Sequence, residues 1–553
     1  MTGSDPHACP AELATNFCGQ RHWAIYWILI ICSVAMLTGR VMSVGSEDGA
    51  GAPTPFFCAN DRSRWCTIRS LGDDGTYEID AVIDDTESEI AWNTIDKVKH
   101  VGEDGRMHSY SSKPTLLPTI LAGKYIAIKA LTGLSITEDP IIVARIMLVL
   151  SNVIPWAVYL WFLAATLEKI GVRDWTRYFV LAVAAFGTYL STFGVSLNNH
   201  VPAAISVMIA VYCITEIYRV VIVGEKKLRW RDFFLAGLFA AFAAANELPA
   251  LSFLGMAGLL CLAKSFRMTL LAFVPGMLIV VAGFFGTNWL AHGSWIPAYA
   301  HRNDGAVIAE IDFSAEAVAD LDSGVLPESI EDAISQEVDF TSPVVIRREQ
   351  QIDSTELSRW VVRDRSSTNQ ISITNTLESK SFRVHLWDNW YDYPESYWFS
   401  DKKSEVDRGQ ESVQLYAFHV LFGHHGIFSL TPIWLLAFAG MFSLTFNDRL
   451  NLRWLGMTTI VISLVVIAFY ISRPVIDRNY GGWTSALRWL FWLAPLWLVS
   501  MLPVVDWLGK SRGGRIVCFV LLGASILSAI YAADNPWVHP WLYEVWEWTG
   551  LPE

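Results

Sequence analysis

Carboxylates and cations recur within one polar segment of the sequence, residues 45–139. Glu47, Asp48 and Asp61 could each act as a general base, because a carboxylate within about 3 Å of a hydroxyl or amine can take its proton. Lys113 could stabilise the negative charge that develops on a departing phosphate. Each also has a simpler interpretation: Asp61 as a helix cap, Glu47 and Asp48 as solvated groups at a helix end, and Lys113 as a lysine that reaches lipid phosphates.

The chain as a whole is too apolar for a soluble protein. Of its 553 residues 53% are hydrophobic, and the mean hydropathy is +0.34. A helix needs about 20 mainly apolar residues to cross the hydrocarbon layer, and about eleven stretches are predicted to do so. They are residues 23–44, 140–166, 177–196, 201–223, 233–249, 250–264, 269–291, 415–445, 455–472, 486–506 and 515–532. The predicted fold class is therefore an all-α polytopic membrane protein.

Basic short loops alternate along the chain, and Lys and Arg are enriched in cytoplasmic loops. This alternation predicts a cytoplasmic N-terminus (1–22), a first span (23–44) and a first extracytoplasmic loop (45–139). Spans 2–7 (140–291), a second extracytoplasmic region (292–414), spans 8–11 (415–532) and an extracytoplasmic tail (533–553) follow. An odd number of spans must precede the first basic loop, so residues 114–133 are predicted to form an interfacial or re-entrant helix on the outer face.

The second extracytoplasmic region has strand-prone stretches at residues 342–347 and 370–376, which predict a small mixed α/β structure. An aromatic cluster at 387–399 includes Trp390. Such rings stack on sugars, although they also anchor chains at a membrane surface. Cys58 and Cys66 share the first loop and could form a disulfide or remain packed thiols.

Two motifs in the first loop resemble those of the lipid-linked-sugar glycosyltransferases of the GT-C class, especially the aminoarabinose transferases and the protein O-mannosyltransferase-like group. These enzymes carry an acid, two residues and Arg-Tyr at the start of an amphipathic helix, and later Glu-Lys-Pro-Pro-Leu-Leu. This sequence departs from the family motifs at three positions. Ser112 stands where the family has the glutamate before the lysine, and Thr115 stands where it has the second proline. Arg62 stands where the family has a glutamate directly after the first acid. The matching segments are Asn60-Asp61-Arg62-Ser63-Arg64-Trp65 and Tyr110-Ser111-Ser112-Lys113-Pro114-Thr115-Leu116-Leu117.

The resemblance implies a GT-C-like fold and an inverting transfer of a hexose or pentose from a polyprenyl-phosphate donor to a lipid, glycan or protein. It makes Asp61 the first candidate base, with Asp48 and Glu47 as rivals. The candidate residues for the donor phosphate are Lys113, Arg64, Arg478 and Arg488. The candidate substrate-binding residues are Tyr110, Asn199, His200, Tyr480, Gly481, Trp483 and Trp390.

No zinc or iron–sulfur spacing is present, and no metal ligand is predicted, although a divalent metal that assists transfer is left open. His419, His424 and His425 are interpreted as a turn rather than a metal site.

The expected partners are the donor, membrane lipids and the acceptor, with no nucleic acid. The expected location is a bacterial inner membrane with the site facing the periplasm. A transporter or a membrane-anchored binding or sensor protein is the alternative; charges concentrated at outer loop ends rather than within spans favour the enzyme.

Overall fold

The computed structural model describes residues 11–45, 54–223, 227–302, 304–312, 314–340, 343–349, 357–376, 381–394, 396–398, 403–447 and 450–550. Helices dominate, and the strands form two antiparallel sheets of two and five strands. Glu47 and Asp48 lie outside the described residues.

The apolar part begins with α1 (Ala11–Ser43) and resumes after the first polar segment. The first polar segment contains α2 (Ala59–Asp73), α3 (Asp80–Ile83), β1 (Lys97–Val101), β2 (Met107–Ser111) and α4 (Leu116–Thr132). Later apolar helices are α5 (Pro140–Leu148), α6 (Ile154–Lys169), α7 (Asp174–Phe186), α8 (Tyr189–Phe193), α9 (His200–Val223), α10 (Trp230–Asn246), α11 (Leu251–Leu262), α12 (Phe266–Met268) and α13 (Val274–His292).

Within the described ranges, six helices are long and apolar enough to cross a membrane, or seven if the bent pair Arg488–Ser500 and Leu502–Leu508 counts as one span. The predicted count of about eleven is not confirmed. Several apolar stretches are interrupted: α7 ends before Gly187, and the stretch 415–445 is broken around Gly423 and Gly426. The hydropathy of a segment does not report such breaks.

The first polar segment folds onto itself. Trp65 and Ile68 of α2 are fully buried, and α4 packs across the same helix, so closely that a Cβ on Gly72 would lie 2.2 Å from the Tyr125 ring. At 17 residues, α4 is shorter than a full span.

The two cysteines of this segment, Cys58 and Cys66, are both free thiols. The disulfide alternative is therefore wrong for this structure. Cys58 is the N-cap residue of α2, while the Cys66 thiol donates to the Trp92 carbonyl at 3.4 Å. Each cysteine thus has a local role that needs no bridge.

The second polar region contains the larger sheet and two short helices. Its elements are β3 (Val307–Asp312), α14 (Ala315–Ser323), α15 (Glu328–Ile334), β4 (Val344–Glu349), β5 (Leu357–Asp364), β6 (Gln370–Thr376) and β7 (Ser381–Leu386). The strand order is β3-β7-β6-β5-β4. The two helices cover one face, where Trp360, Ile371 and Phe382 are fully buried. Of the two strand-prone stretches, 370–376 forms β6, and the described part of 342–347 overlaps β4.

The chain then returns to apolar helices, several of them short. They are α16 (Val413–Leu421), α17 (Ile427–Leu430), α18 (Trp434–Phe446), α19 (Arg453–Ile471), α20 (Ala494–Ser500), α21 (Leu502–Leu508), α22 (Arg512–Tyr531) and α23 (Trp541–Thr549). The loop between α19 and α20 carries the short 3-10 turn Arg488–Leu493, which contacts α9. This contact brings the late loop to the start of α9.

Candidate functional site

A cavity of about 710 Å³ opens where the first polar segment meets the loops at the ends of the apolar helices. Seven of the predicted site residues line it. They are Arg64, Lys113, Asn199, His200, Gly481, Trp483 and Arg488. Residues from four distant parts of the sequence therefore face one space large enough for a small-molecule ligand.

Arg64 lies on the second turn of α2, where its side chain is almost fully buried, at 3% exposure. One guanidinium nitrogen donates to the Asn60 carbonyl at 2.8 Å and to the Asn60 side-chain oxygen at 2.6 Å. The other donates to the Asn199 side-chain oxygen at 2.6 Å. Burial lowers the pKa of Arg64 to about 10, so the group stays charged at neutral pH. All of these acceptors are neutral.

Arg488 is the second buried arginine of the cavity, at 8% exposure. It donates to His200 Nε2 at 2.8 Å and to the Gly481 carbonyl at 2.9 Å. Its Nε is buried with no hydrogen-bond partner among the described residues. Gly481 has φ +99°, and a Cβ there would lie 3.3 Å from that Nε. The glycine is therefore needed both for its backbone conformation and for the space beside the arginine.

Asn199 and His200 connect these arginines to one buried acid. The Asn199 amide donates to Glu247 Oε1 at 2.6 Å, and His200 Nδ1 contacts the same oxygen. Glu247 follows the last residue of α10 and is 5% exposed. In the sequence it stands at an outer turn, without a motif that would assign it to the site.

Lys113 forms an ion pair with Asp96, with 2.8 Å between Nζ and Oδ2. Burial is the main reason that the pKa of Lys113 lies below its ordinary value of 10.5, and the charge of Arg64 adds to this effect. Asp96 also lines the cavity. Sequence reasoning missed it because no motif surrounds it; its carbonyl accepts from Ser63 and Ser112, which hold it beside Lys113.

Asp61 lies in the first turn of α2. Its two oxygens accept the backbone amides of Phe57 and Cys58, each at 2.9 Å, and the side chain is 0% exposed. It is not among the residues that line the cavity. Burial raises the pKa of Asp61 to about 6. The structure thus gives Asp61 a capping contact, and its role as a base stays a prediction.

Four other predicted residues lie outside the cavity lining. Tyr110 stacks on His100 with 4.0 Å between ring centroids, and Trp390 stacks on His301 at 3.6 Å. Tyr480 stacks on His425 at 4.5 Å. Arg478 donates to the carbonyls of Gln410 and Glu411, each at 2.8 Å, and to that of Arg473. The first of these contacts joins β1 to β2, and the others connect loops to one another.

A second group of cavity residues belongs to the polar region around the sheet. The Arg302 guanidinium lies 4.3 Å from the Tyr391 ring centroid and 5.5 Å from that of Trp398. Tyr391 and Trp398 belong to the aromatic cluster noted in the sequence, whereas Arg302 carried no signal. Lys403 and Asp407 are further charged residues of this group, and Arg473 and Asp477 line the cavity from the loop after α19.

The three histidines near the start of α17 pack against one another. His419 and His424 stack with ring centroids 3.8 Å apart, and His424 and His425 bring their Nδ1 atoms to 2.5 Å. Across the residues that the structure describes, no group of three or more His, Cys, Asp or Glu side chains could hold a metal ion.

Comparison with known proteins finds no matching family model and no matching curated protein. Among solved structures, the chain is similar to a protein O-mannosyltransferase complex of S. cerevisiae bound to the sugar donor, with 11% identity, TM-score 0.44, and coverage of 96% of this chain and 92% of that one. It is also similar to the Archaeoglobus fulgidus oligosaccharyltransferase in its apo form, with 12% identity, TM-score 0.42 and 94% of this chain covered. A third similarity is to an archaeal oligosaccharyltransferase from the same organism in complex with an inhibitory peptide and a dolichol-phosphate, with 11% identity, TM-score 0.42 and 97% of this chain covered.

The chain spans 56% and 59% of the two oligosaccharyltransferase chains. All three proteins are glycosyltransferases by name, the kind of enzyme that the two sequence motifs resemble. With TM-scores below 0.5, these similarities carry no argument for the reaction of this chain.

Proposed function

We propose that the chain is an integral-membrane inverting glycosyltransferase that takes a sugar from a polyprenyl-phosphate donor and transfers it to a lipid, glycan or protein acceptor. The observation that carries this proposal is the pair of buried arginines, Arg64 and Arg488, which face one cavity without a carboxylate partner among the described residues. Burying a charge is costly unless another charge or a hydrogen-bonded group compensates for it. An anionic ligand would supply that compensation.

The chemistry of the donor suits this cavity. Arginine and lysine bind phosphate oxygens through charge-assisted hydrogen bonds, and Lys113 faces the same space as the two arginines. Apolar residues of the same lining, including Leu251, Phe284 and Phe469, offer a surface for a hydrocarbon chain. A ligand with a phosphate and a long apolar tail fits both features.

In the proposed reaction, an acceptor oxygen or nitrogen attacks the anomeric carbon of the sugar. The bond between that carbon and the phosphate oxygen breaks, and the phosphate leaves with its charge stabilised by Arg64, Arg488 and Lys113. The proton of the acceptor passes to a carboxylate. A single displacement of this kind inverts the anomeric centre.

Two sets of carboxylates compete for the role of base. Asp61 comes from the motif resemblance, and its rivals, Asp48 and Glu47, come from their position immediately after the first predicted span. Asp96 comes from the geometry, because it lines the cavity beside Lys113. Substituting Asp61→Asn and Asp96→Asn separately distinguishes them: the base is the residue whose loss abolishes transfer while donor binding persists.

The proposed location is a bacterial inner membrane with the cavity facing the periplasm, as the alternating basic loops support. A cysteine at Gly105 should then react with an impermeant thiol reagent from outside. Reaction only after permeabilisation would reverse the proposed orientation.

The test of the function is transfer of label from polyprenyl-phosphate sugars by the purified protein in lipid nanodiscs. The Arg64→Ala and Arg488→Ala variants should lose transfer, and Arg348→Ala, at an exposed ion pair of the sheet, should retain it. Uptake of a solute into proteoliposomes without any transfer would support a transporter instead and would overturn the proposal.

A further inference from the structure

Glu247 is a buried carboxylate that forms no ion pair with an arginine of the described residues, although two arginines lie in the same cavity wall. Within those residues its carboxyl contacts Nδ1 of His200 instead, and the acid itself is 5% exposed. The burial of a carboxylate requires hydrogen bonds to the ionised oxygens. Those bonds come from two consecutive residues at the start of α9.

Asn199 is the first connection between the acid and an arginine. Its amide nitrogen donates to Glu247 Oε1 at 2.6 Å and to the Asn246 carbonyl at 2.8 Å. Its side-chain oxygen accepts from Arg64 at 2.6 Å. An asparagine can donate and accept at once, and here one end of the amide contacts the carboxyl of Glu247 and the other the guanidinium of Arg64. The amide therefore connects the acid to Arg64.

His200 is the second connection. Its Nε2 lies 2.8 Å from Arg488 Nη1, and because an arginine only donates, that nitrogen must carry the lone pair. A neutral imidazole then has its proton on Nδ1, which faces Glu247 Oε1. The tautomer is thereby fixed, and the ring connects the same acid to Arg488.

We propose that Glu247 is the positioning residue of the phosphate site, orienting Arg64 through Asn199 and Arg488 through His200; this inference rests on the function proposed above. A carboxylate in direct contact with an arginine competes with an anionic ligand for the same hydrogens. The two neutral side chains avoid this competition. They hold both guanidinium groups in place before the ligand arrives, which lowers the entropic cost of binding.

The experiment measures binding of a polyprenyl phosphate, with the polyprenol of the same length as the control, to the full-length protein in nanodiscs. Glu247→Gln keeps the shape of the side chain and replaces the carboxyl with an amide that cannot ionise. We expect it to weaken binding of the phosphate about tenfold or more and to leave binding of the polyprenol unchanged. Asp322→Asn, which removes an acid paired with Arg348 in the sheet region, should alter neither.

Two substitutions of His200 test the connection itself. His200→Asn keeps a nitrogen where Nδ1 contacts Glu247 but cannot reach Arg488, and His200→Gln keeps an acceptor for Arg488 but not the contact with the acid. Both should weaken phosphate binding about tenfold, because the connection needs both contacts. If His200→Gln binds like the wild type, the acid plays no part in orienting Arg488 and the proposal fails.

The energetic coupling between Glu247 and Arg64 can also be measured, and a general loss of folding would not reproduce it. Arg64→Lys should weaken phosphate binding less in the Glu247→Gln protein than in the wild type, because the arginine there is already disordered. Arg64→Lys could instead weaken phosphate binding equally in both backgrounds while the wild type still prefers the phosphate to the polyprenol. That result would overturn the inference about Glu247 but not the proposed function. No preference of the wild type for phosphate over polyprenol would overturn both.

Discussion

Two buried arginines of the cavity, Arg64 and Arg488, have partners of the opposite kind from those of four arginines in the region of the five-stranded sheet. Four arginines of the sheet region pair directly with an acid, whereas Arg64 and Arg488 are held by amide and carbonyl oxygens and by an imidazole nitrogen. The sheet pairs are Arg359 with Asp304 at 2.6 Å, Arg347 with Asp392 at 2.7 Å, Arg348 with Asp322 at 3.0 Å and Arg383 with Glu310 at 3.4 Å.

This difference separates arginines that stabilise a structure from arginines whose charge remains available to a ligand. In the sheet region the acid neutralises the charge, and the pair connects neighbouring elements. At the cavity the neutral partners fix the orientation of the guanidinium without cancelling its charge. A site for an anion should have the second arrangement.

The largest expected effect is the loss of transfer when both cavity arginines are removed. The Arg64→Ala, Arg488→Ala double variant should transfer sugar about 100- to 1,000-fold more slowly, since groups that stabilise a leaving or developing negative charge contribute on this scale. Initial rates with a labelled donor measure the effect. Unchanged rates would mean that the cavity is not the reaction site; Arg348→Ala controls for the loss of any one arginine.

In the sheet region, removal of an acid should affect stability rather than transfer. Asp304→Asn removes the carboxylate that pairs with Arg359, whose side chain is 9% exposed. The strands β5 and β6 should lose roughly 2–3 kcal/mol of stability, somewhat less than for a fully buried pair. Amide hydrogen exchange of those strands measures this, and a fall in transfer without faster exchange would contradict the assigned role.

The difference between the two kinds of arginine can be removed by giving Arg64 an acidic partner. Asn60→Asp replaces the amide oxygen that lies 2.6 Å from Arg64 with a carboxylate. Phosphate binding should weaken about tenfold, because the new acid competes with the ligand. Folding should be kept, as an acid is favourable in the first turn of α2. Asn93→Asp, an exposed change in the same segment, is the matched control; equal losses in both variants would point to overall charge instead.

A smaller effect concerns pH and Lys113. Burial holds the pKa of this lysine below 10.5, so its positive charge is fully present at low pH and is lost as the pH rises through that lowered value. Phosphate binding should weaken at alkaline pH, earlier than for an exposed lysine. In Lys113→Arg the alkaline loss should disappear; a loss that persists in this variant would assign the titration to another group.

The sequence predicted much of what faces the cavity, because polar residues at the ends of apolar stretches are conspicuous. Asn199, His200 and Arg488 were identified in this way. The role of Asp96 was not, since no motif marks its ion pair with Lys113. Glu247 was noted in the sequence only as a polar residue of an outer turn, because its partners Asn199 and His200 lie 48 and 47 positions away along the chain. Only folding brings such groups together.

Helix breaks were the second limit of sequence reasoning. The stretch 415–445 has the hydropathy of a span, yet the backbone leaves the helix at 422–426, where a Cβ on Gly423 would lie 2.3 Å from the His419 ring. Asp61 shows a third limit. Its motif position matched a catalytic acid, but the spacing that places an acid three residues after Cys58 also suits a helix cap.

The most direct measurement is mass spectrometry of lipid that co-purifies with the protein from its native membrane. A polyprenyl-phosphate-linked sugar should accompany the wild type and be absent from the Arg64→Ala, Arg488→Ala variant. If that membrane contains such a lipid and the wild type carries none, or if the double variant retains as much as the wild type, the two arginines do not form a donor-phosphate site.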